Sequence, residues 1–103
     1  MKIFLDDRRE PPAGWFKATH PNEVILHVLQ GEAAIIDLAY HLGNDMKYTG
    51  LTALKWLQNE IVEGRIPIRV PEIRIHTDDP VAKEIMEGVR SRIYKWIGRS
   101  VVE

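Results

Sequence analysis

The stretch that decides the fold is Lys2-Ile3-Phe4-Leu5-Asp6-Asp7-Arg8-Arg9. A short apolar run ends abruptly in four charged residues. Strands buried on both faces of a sheet read as near-continuous apolar runs, whereas half-exposed strands alternate apolar and polar residues. The stretch therefore predicts a buried parallel strand over Lys2–Leu5, with polar groups at its carboxyl end.

Strand and helix signals alternate along the rest of the chain. Apolar runs predict further strands at Trp15–Thr19, Ala33–Leu38 and Glu72–Thr77. Helices are predicted from Pro21 to Gly31, near residues 50–63, and after the N-cap pair Asp79-Pro80. The apolar residues at helical spacing, which we expect to face the core, are Val24, Ile25, Val28 and Leu29 in the first helix, Leu51, Leu54, Leu57 and Ile61 in the second, and Val81, Ile85, Met86, Val89, Ile93 and Ile97 in the third.

This order of elements predicts the fold class. Strands that alternate with helices pair in parallel through right-handed crossovers. We therefore predict an α/β fold, a small three-layer parallel sheet of the receiver or flavodoxin type, with about four strands and three main helices. The length of 103 residues favours a single domain over residues 1–103.

The composition excludes several classes of protein. Hydrophobic residues make up 45% and charged residues 28%, which is typical of a folded chain. The net charge of −1 provides no global basic field, so we expect no DNA partner. Without cysteine there are no disulfides or thiolate metal sites. The longest apolar run, Ala33–Ile36, is far shorter than a membrane span, and charge appears too early for a signal peptide. We expect a cytoplasmic protein with no membrane partner.

The first strand ends in two adjacent carboxylates, Asp6 and Asp7. Ligands of open parallel sheets bind beyond the carboxyl ends of the strands, where these side chains would lie. Two carboxylates there suit Mg²⁺, which takes one or two protein carboxylates and completes its shell with water or phosphate. Alternatively, the pair caps a turn and balances Arg8 and Arg9, because aspartate is common in turns. The residues alone leave both interpretations open.

Other polar residues follow the later strands. His76 is a candidate for acid–base chemistry or phosphate contact, and Thr77 is a candidate donor to a phosphate oxygen. His41 is a candidate metal ligand or proton carrier, and Arg8 a candidate phosphate clamp. Each residue also has a simpler structural explanation, as a half-buried histidine, a loop hydroxyl, a loop residue or a solvated cation. Tryptophans 15, 56 and 96 are expected to pack in the core or at its rim.

The sequence resembles the cyclic-phosphate processing receiver-like domains, and the resemblance covers roughly residues 1–90. The residues that carry it are Met1–Arg9, Pro11-Pro12, Gly14-Trp15, Leu42-Gly43-Asn44-Asp45, Thr49-Gly50, Pro71–Thr77, Pro80 and Met86. The resemblance implies a trimmed receiver fold that binds or processes nucleotides or RNA ends carrying a cyclic phosphate, with a divalent metal ion (Mg or Mn). It also implies that Asp6 and Asp7 are the acidic metal pair, and that His76 and Thr77 are the polar pair at a strand end.

The chain departs from the family at one central position. The family usually reads Leu-Asp-His-Asp-Leu-Gly after the third strand, but this chain has Ala39, Tyr40 and His41 in place of the Asp-His-Asp. A methyl group cannot accept phosphate or bind metal, so phosphotransfer through position 39 is excluded. The loss of a carboxylate also weakens Mg²⁺ binding, and His41 would favour a softer ion such as Mn²⁺ or Zn²⁺.

Three functions remain as alternatives. In the leading one, metal on Asp6 and Asp7 polarises a phosphoryl oxygen, His76 or His41 moves the proton, and Thr77 and Arg8 hold the phosphate, unless Ala39 has made the site a binder without turnover. The second is a pseudo-receiver that docks a protein partner through Tyr40-His41 and the end of the last helix, at Tyr94, Trp96 and Ile97. The third, single-stranded RNA binding, requires an exposed Trp96 beside Arg92 and Lys95.

Overall fold

The computed structural model describes residues 1–43, 47–64 and 70–98. Asn44 and Asp45, which are among the residues that carry the family resemblance, lie outside these ranges, as does most of the connector between Arg65 and Pro71. The described elements are β1 (Lys2–Leu5), β2 (Phe16–Ala18), α1 (Pro21–Leu29), β3 (Ile35–Leu38), α2 (Gly50–Val62), β4 (Glu72–Ile75) and α3 (Pro80–Trp96).

The four strands form one sheet in the order β2-β1-β3-β4, and every neighbouring pair is parallel. With its three helices, this arrangement confirms the predicted α/β receiver-like fold. None of the helices in the described ranges is long and apolar enough to span a membrane.

The core lies between one face of the sheet and the helices. Ile3 pairs with Ile36, and Ile36 with Ile73, so these side chains form a row across three strands. All three are at most 3% exposed and belong to one buried cluster with residues of all three helices. Because side chains alternate along a strand, the row assigns the neighbouring residues Phe4, Asp37 and Arg74 to the opposite face.

The opposite face is covered by an irregular segment. The parallel neighbours β1 and β2 are joined by residues 6–15, which contain no helix. From β1 this connection leads to β2 at one edge of the sheet, whereas the connections through α1 and α2 lead towards β4 at the other edge. Because connections between parallel strands are right-handed, a connection in the opposite direction passes over the opposite face. Phe4 on that face is only 8% exposed, and Trp15 packs edge-on against it at 6.4 Å between ring centroids. The third layer is therefore formed by an irregular segment and not by a helix.

The apolar stripe of α3 differs from the prediction. Met86, Val89 and Ile93 are buried as expected, but Val81 is 67% exposed and Ile85 46%. Successive helical residues lie about 100° apart, and the buried stripe runs instead through Ala82 and Met86. For the same reason Leu29 of α1 is exposed, since it lies one step round from the buried Val28.

The tryptophans occupy two kinds of environment. Trp15 and Trp56 are half-buried, as predicted for rim packing. Trp96, at the last residue of α3, is 63% exposed, so the prediction of core or rim packing is wrong for this residue. The last buried side chains of α3 are those of Ile93 and Tyr94, and Trp96 lies beyond them.

Candidate functional site

The carboxyl ends of β1, β3 and β4 meet around a cleft of about 230 Å³. Its lining consists of Asp6, Arg8, Arg9, Ala39, Tyr40, His41, His76, Thr77, Asp78 and Asp79. Of the residues predicted from the sequence, five line this cleft together: Asp6, Arg8, His41, His76 and Thr77. Asp7 is absent from the described lining. The parallel sheet explains the convergence, because all of its strands end at the same edge.

His76 lies at the centre of the site between two carboxylates. Its Nδ1 lies 2.5 Å from Asp37 Oδ1 and its Nε2 lies 3.0 Å from Asp6 Oδ2. The ring also stacks on Phe4, with centroids 4.5 Å apart and planes at 10°. Ionised carboxylates only accept hydrogen bonds, so both ring nitrogens donate when the imidazole is protonated. Burial acts to lower the pKa of His76, but Asp37 and then Asp6 outweigh it, and the pKa is raised above 6.5.

Asp6 is the most buried charged side chain of the site, at 5% exposure. Its Oδ1 accepts hydrogen bonds from the backbone amides of Arg8 and Arg9, at 2.8 and 3.2 Å. Burial acts to raise the pKa of Asp6, but these two amides and His76 favour the ionised form, so the pKa is lowered from 3.8. The turn after β1 therefore holds Asp6 as a carboxylate.

Asp37 is the site residue that the sequence analysis missed. It interrupts the apolar run of β3, and its partner in the register is Arg74. Because every second residue of a strand faces the same way, Asp37 shares the face of Phe4 in β1 and of Arg74 in β4. Asp6 and His76, which directly follow these two strands, continue the same alternation. A polar residue in an otherwise apolar strand was the available signal. Only the strand register shows that it meets His76.

Cationic and hydroxyl groups line the rim of the cleft. Within the described ranges, the Arg8 guanidinium has no ion-pair partner, whereas Arg9 Nη2 lies 2.7 Å from Asp78 Oδ2. Thr77 Oγ1 accepts a hydrogen bond from the backbone amide of Asp79 at 3.2 Å, which leaves its hydroxyl proton to donate. These groups supply donors and positive charge to an anion in the cleft.

His41 forms the outer wall with Tyr40. Its Nε2 lies 3.0 Å from Asp79 Oδ2, and Asp79 Oδ1 accepts from the amides of Val81 and Ala82 as the N-cap of α3. The amide of Ala82 and then the His41 side chain lower the pKa of Asp79. The position of His41 is thus tied to the start of α3.

The start of α2 packs tightly against the strand end that carries Ala39. A Cβ built on Gly50 would lie 1.7 Å from the Ala39 carbonyl oxygen, so only glycine fits. The Gly50 amide donates to the Tyr40 carbonyl oxygen at 3.0 Å. These contacts fix the backbone at positions 39 and 40.

The carboxylates do not fit a resident divalent ion in this arrangement. Both oxygens of Asp6 already accept hydrogen bonds, from two amides and from His76. Asp7 Oδ1 is buried and has no hydrogen-bond partner among the described residues, but Oδ2 of the same carboxylate packs against Gly43, outside the cleft lining. Position 39 offers a methyl group. Across residues 1–43, 47–64 and 70–98, no three His, Asp or Glu side chains form a ligand set for a metal ion. The metal site at Asp6 and Asp7 stays a prediction.

A second cavity lies between the carboxyl-terminal ends of α2 and α3. This groove has a volume of about 380 Å³ and is lined by Gln58, Ile61, Val62, Arg92, Ile93, Lys95 and Trp96. The exposed Trp96 thus shares a groove with Arg92 and Lys95, which is the condition stated for the RNA-binding alternative. Tyr94 is 7% exposed, and its hydroxyl accepts a hydrogen bond from the Ile73 amide at 2.7 Å. It is a core residue and cannot contribute to a docking surface.

Comparison with known proteins identifies the family. No curated protein and no solved structure matches the chain significantly. A family model described as the cyclic-phosphate processing receiver domain matches residues 1–92. The matched region includes every strand and most of α3, and it contains the whole of the described cleft. The chain therefore belongs to the family of cyclic-phosphate processing receiver domains.

Proposed function

We propose that the cleft binds the cyclic phosphate of a nucleotide or RNA end. The observation that carries this proposal is the position of His76, a doubly hydrogen-bonded imidazole beside Arg8 and Thr77 in a single cleft. A cyclic phosphate diester carries one negative charge and two non-bridging oxygens. Guanidinium, imidazolium and hydroxyl donors are suited to these oxygens, and charge-assisted hydrogen bonds are the stronger kind.

The carboxylate partners of His76 support a role in binding. Asp37 holds Nδ1, so the ring is oriented from the side away from Asp6. Asp6 has two amide donors of its own and remains hydrogen-bonded if a phosphate oxygen takes over Nε2. Binding therefore exchanges one acceptor of His76 for another and leaves Asp6 with its two amide donors.

Hydrolysis would use the same residues. Water adds to phosphorus and releases a proton to solvent, the bond from phosphorus to one ribose oxygen breaks, and that oxygen receives a proton from a side chain. His76 is the suitable donor, with His41 as the second candidate, and such general acid catalysis contributes typically about 10²–10⁴-fold to the rate. Because position 39 lacks the carboxylate of the family, binding is better supported than turnover. We derive no step through a metal ion.

The test is ³¹P NMR of 2′,3′-cyclic AMP with the purified protein, first in EDTA and then in Mn²⁺. Binding without turnover predicts broadening or a shift of the cyclic phosphate signal in EDTA. Conversion to a monophosphate would show that the protein is an active phosphodiesterase, and dependence on Mn²⁺ together with loss in Asp6→Ala would support the predicted metal site. No change under either condition would refute the proposal.

A matched pair of arginine variants locates the binding site. Arg8→Gln removes a charged donor from the cleft and should weaken binding about tenfold, as expected for a charge-assisted hydrogen bond. Arg92→Gln makes the same chemical change in the groove between α2 and α3 and should leave the affinity unaltered. Equal effects of the two variants would mean that binding reflects general charge.

The alternative function is that of a pseudo-receiver that docks a protein partner without phosphorylation or catalysis. The observation that favours it is the groove at Trp96, with Val62 49% and Trp96 63% exposed. Tyr40 and His41 line the cleft that contains His76, so a partner bound in the groove at Trp96 would not require them. Trp96→Ala should then abolish capture of the partner in a pull-down while leaving binding of 2′,3′-cyclic AMP intact.

A further inference from the structure

Two aromatic rings form a corner in the wall of the cleft. Tyr40 and His41 both line it, with ring centroids 4.8 Å apart and planes at 82°. Tyr40 is half-buried and packs against the hydrophobic core, whereas the His41 side chain is 62% exposed. The corner thus presents a fixed ring and an accessible ring at nearly a right angle.

Both rings are held in position before any ligand binds. His41 is hydrogen-bonded to Asp79, the N-cap of α3, at 3.0 Å. The Tyr40 carbonyl accepts from the amide of Gly50 at 3.0 Å, and the Tyr40 side chain packs against the core. The corner is therefore attached to the starts of two helices. A ligand that stacks there loses little affinity to the ordering of the site.

We propose that this corner binds the planar base of the nucleotide whose cyclic phosphate lies at His76 and Arg8. The inference rests on the proposed function and adds the subsite for the base, which would distinguish a nucleoside cyclic phosphate from a cyclic phosphate on a base-free alcohol or sugar. A base stacked on one ring presents its edge to the other, an arrangement that aromatic rings favour. Stacking on protein rings is the usual way in which unpaired bases are bound.

The charges around the corner are consistent with this ligand. Arg8, His76 and Thr77 supply the donors for an anion in the cleft, whereas the outer wall offers rings and the already paired Asp79. A ligand with a phosphate at one end and an uncharged ring at the other matches this separation. A simple phosphate ester would leave the corner unused, and the His41–Asp79 contact would then only stabilise the start of α3.

The test compares 2′,3′-cyclic AMP with propane-1,2-diol cyclic phosphate, which carries the same group and no base. Affinities are measured by isothermal titration calorimetry in EDTA. We expect the nucleotide to bind at least about tenfold more tightly, a ratio within the range that one stacked base supplies. Tyr40→Leu and His41→Ala should each reduce this ratio, whereas Tyr40→Phe should preserve it. His41 is exposed, so His41→Ala keeps the test valid if Tyr40→Leu fails to fold.

Controls separate this inference from the proposed function. Arg8→Gln should weaken the binding of both ligands and preserve the ratio of their affinities. Trp96→Leu removes an aromatic ring from the groove between α2 and α3 and should change neither affinity. Nuclear Overhauser contacts between base protons and the Tyr40 ring report the stacked position directly. Equal affinities for the two ligands would overturn the inference and leave the proposed function standing. The same conclusion would follow if Tyr40→Leu and His41→Ala both kept the preference for the nucleotide. Failure of both ligands to bind would overturn both.

Discussion

Replacement of Asp37 with asparagine tests the charge on His76. The change keeps the shape of the side chain and removes the carboxylate that contributes most to the raised pKa of His76. A histidine whose pKa is higher in the folded state stabilises the fold fully below its unfolded value, and this contribution is lost as the pH rises through the folded pKa. The variant should therefore lose most stability below pH 6.5, and the loss should shrink in alkaline solution.

The expected loss follows from the contact itself. A hydrogen bond to a charged group contributes about 1.5–3 kcal/mol, and the neutral bond that asparagine can still form contributes about 0.5–1.5 kcal/mol. The two side chains are 18% and 19% exposed, so solvent screens the contact only in part. We expect Asp37→Asn to lower the free energy of unfolding by about 1–2 kcal/mol at pH 5.5. For a domain of this size, the melting temperature should fall by roughly 5–15 °C.

Urea unfolding followed by circular dichroism at pH 5.5 and pH 9 measures the effect. Both pH values lie above 3.8, the ordinary pKa of Asp6. The contribution of Asp6 to stability is lost only as the pH falls through its lowered folded pKa. Glu72→Gln is the matched control, because it neutralises an exposed carboxylate whose ion pair with Arg74 lies at the surface, and it should change stability little at either pH. An equal loss for Asp37→Asn at both pH values would refute the argument, since Asp37 would then act through packing.

Three further predictions concern the surroundings of the cleft. Gly50→Ala should destabilise the protein by about 3 kcal/mol or more in urea unfolding, because the new methyl group would clash with the Ala39 carbonyl; a loss under about 1 kcal/mol would contradict this. Tyr94→Phe leaves the buried Ile73 amide without an acceptor and should cost about 1–3 kcal/mol, with faster amide hydrogen exchange at that position as the measurement. Ala39→Asp adds a carboxylate beside Asp6 and should strengthen Mn²⁺ binding at least about tenfold in calorimetric titration; equal affinity in the parent chain would show that the methyl group does not limit the site.

The sequence predicted the sheet well because strand burial is a local signal. The run Lys2–Leu5 and the three later runs correspond to the four strands, and the turn and cap residues gave the helix starts at Pro21 and Pro80. The same signal could not show that an irregular segment forms the third layer. That outcome depends on the order of the strands in the sheet, which decides the face that each connection crosses. The exposure of Val81 and Ile85 was also inaccessible, because two adjacent apolar stripes on α3 differ only in which of them the sheet covers.

The site was predicted in outline because parallel strands end at one edge. That rule brought Asp6, His41 and His76 into one cleft without any knowledge of their contacts. It did not identify Asp37, whose role depends on a register that aligns β3 with β4. It also treated Asp6 and Asp7 as a pair, although the turn after β1 directs only Asp6 to His76 while Asp7 packs against Gly43. Side-chain direction in a turn is set by hydrogen bonds that adjacent residue types do not specify.

The alanine at position 39 is consistent with the charge balance of the cleft. A buried carboxylate such as Asp6 is costly without a cation or several donors. Here two amides and the His76 imidazole supply them, and Asp37 supports the imidazole from its other side. Asp6 and Asp37 already share one imidazole, so a third carboxylate at position 39 would add further negative charge, which the methyl group of Ala39 avoids. A phosphate bound as proposed would compete with Asp6 for Nε2–H, and Asp6 could yield it because its amide donors remain. The contacts that stabilise the cleft are therefore compatible with an anionic ligand.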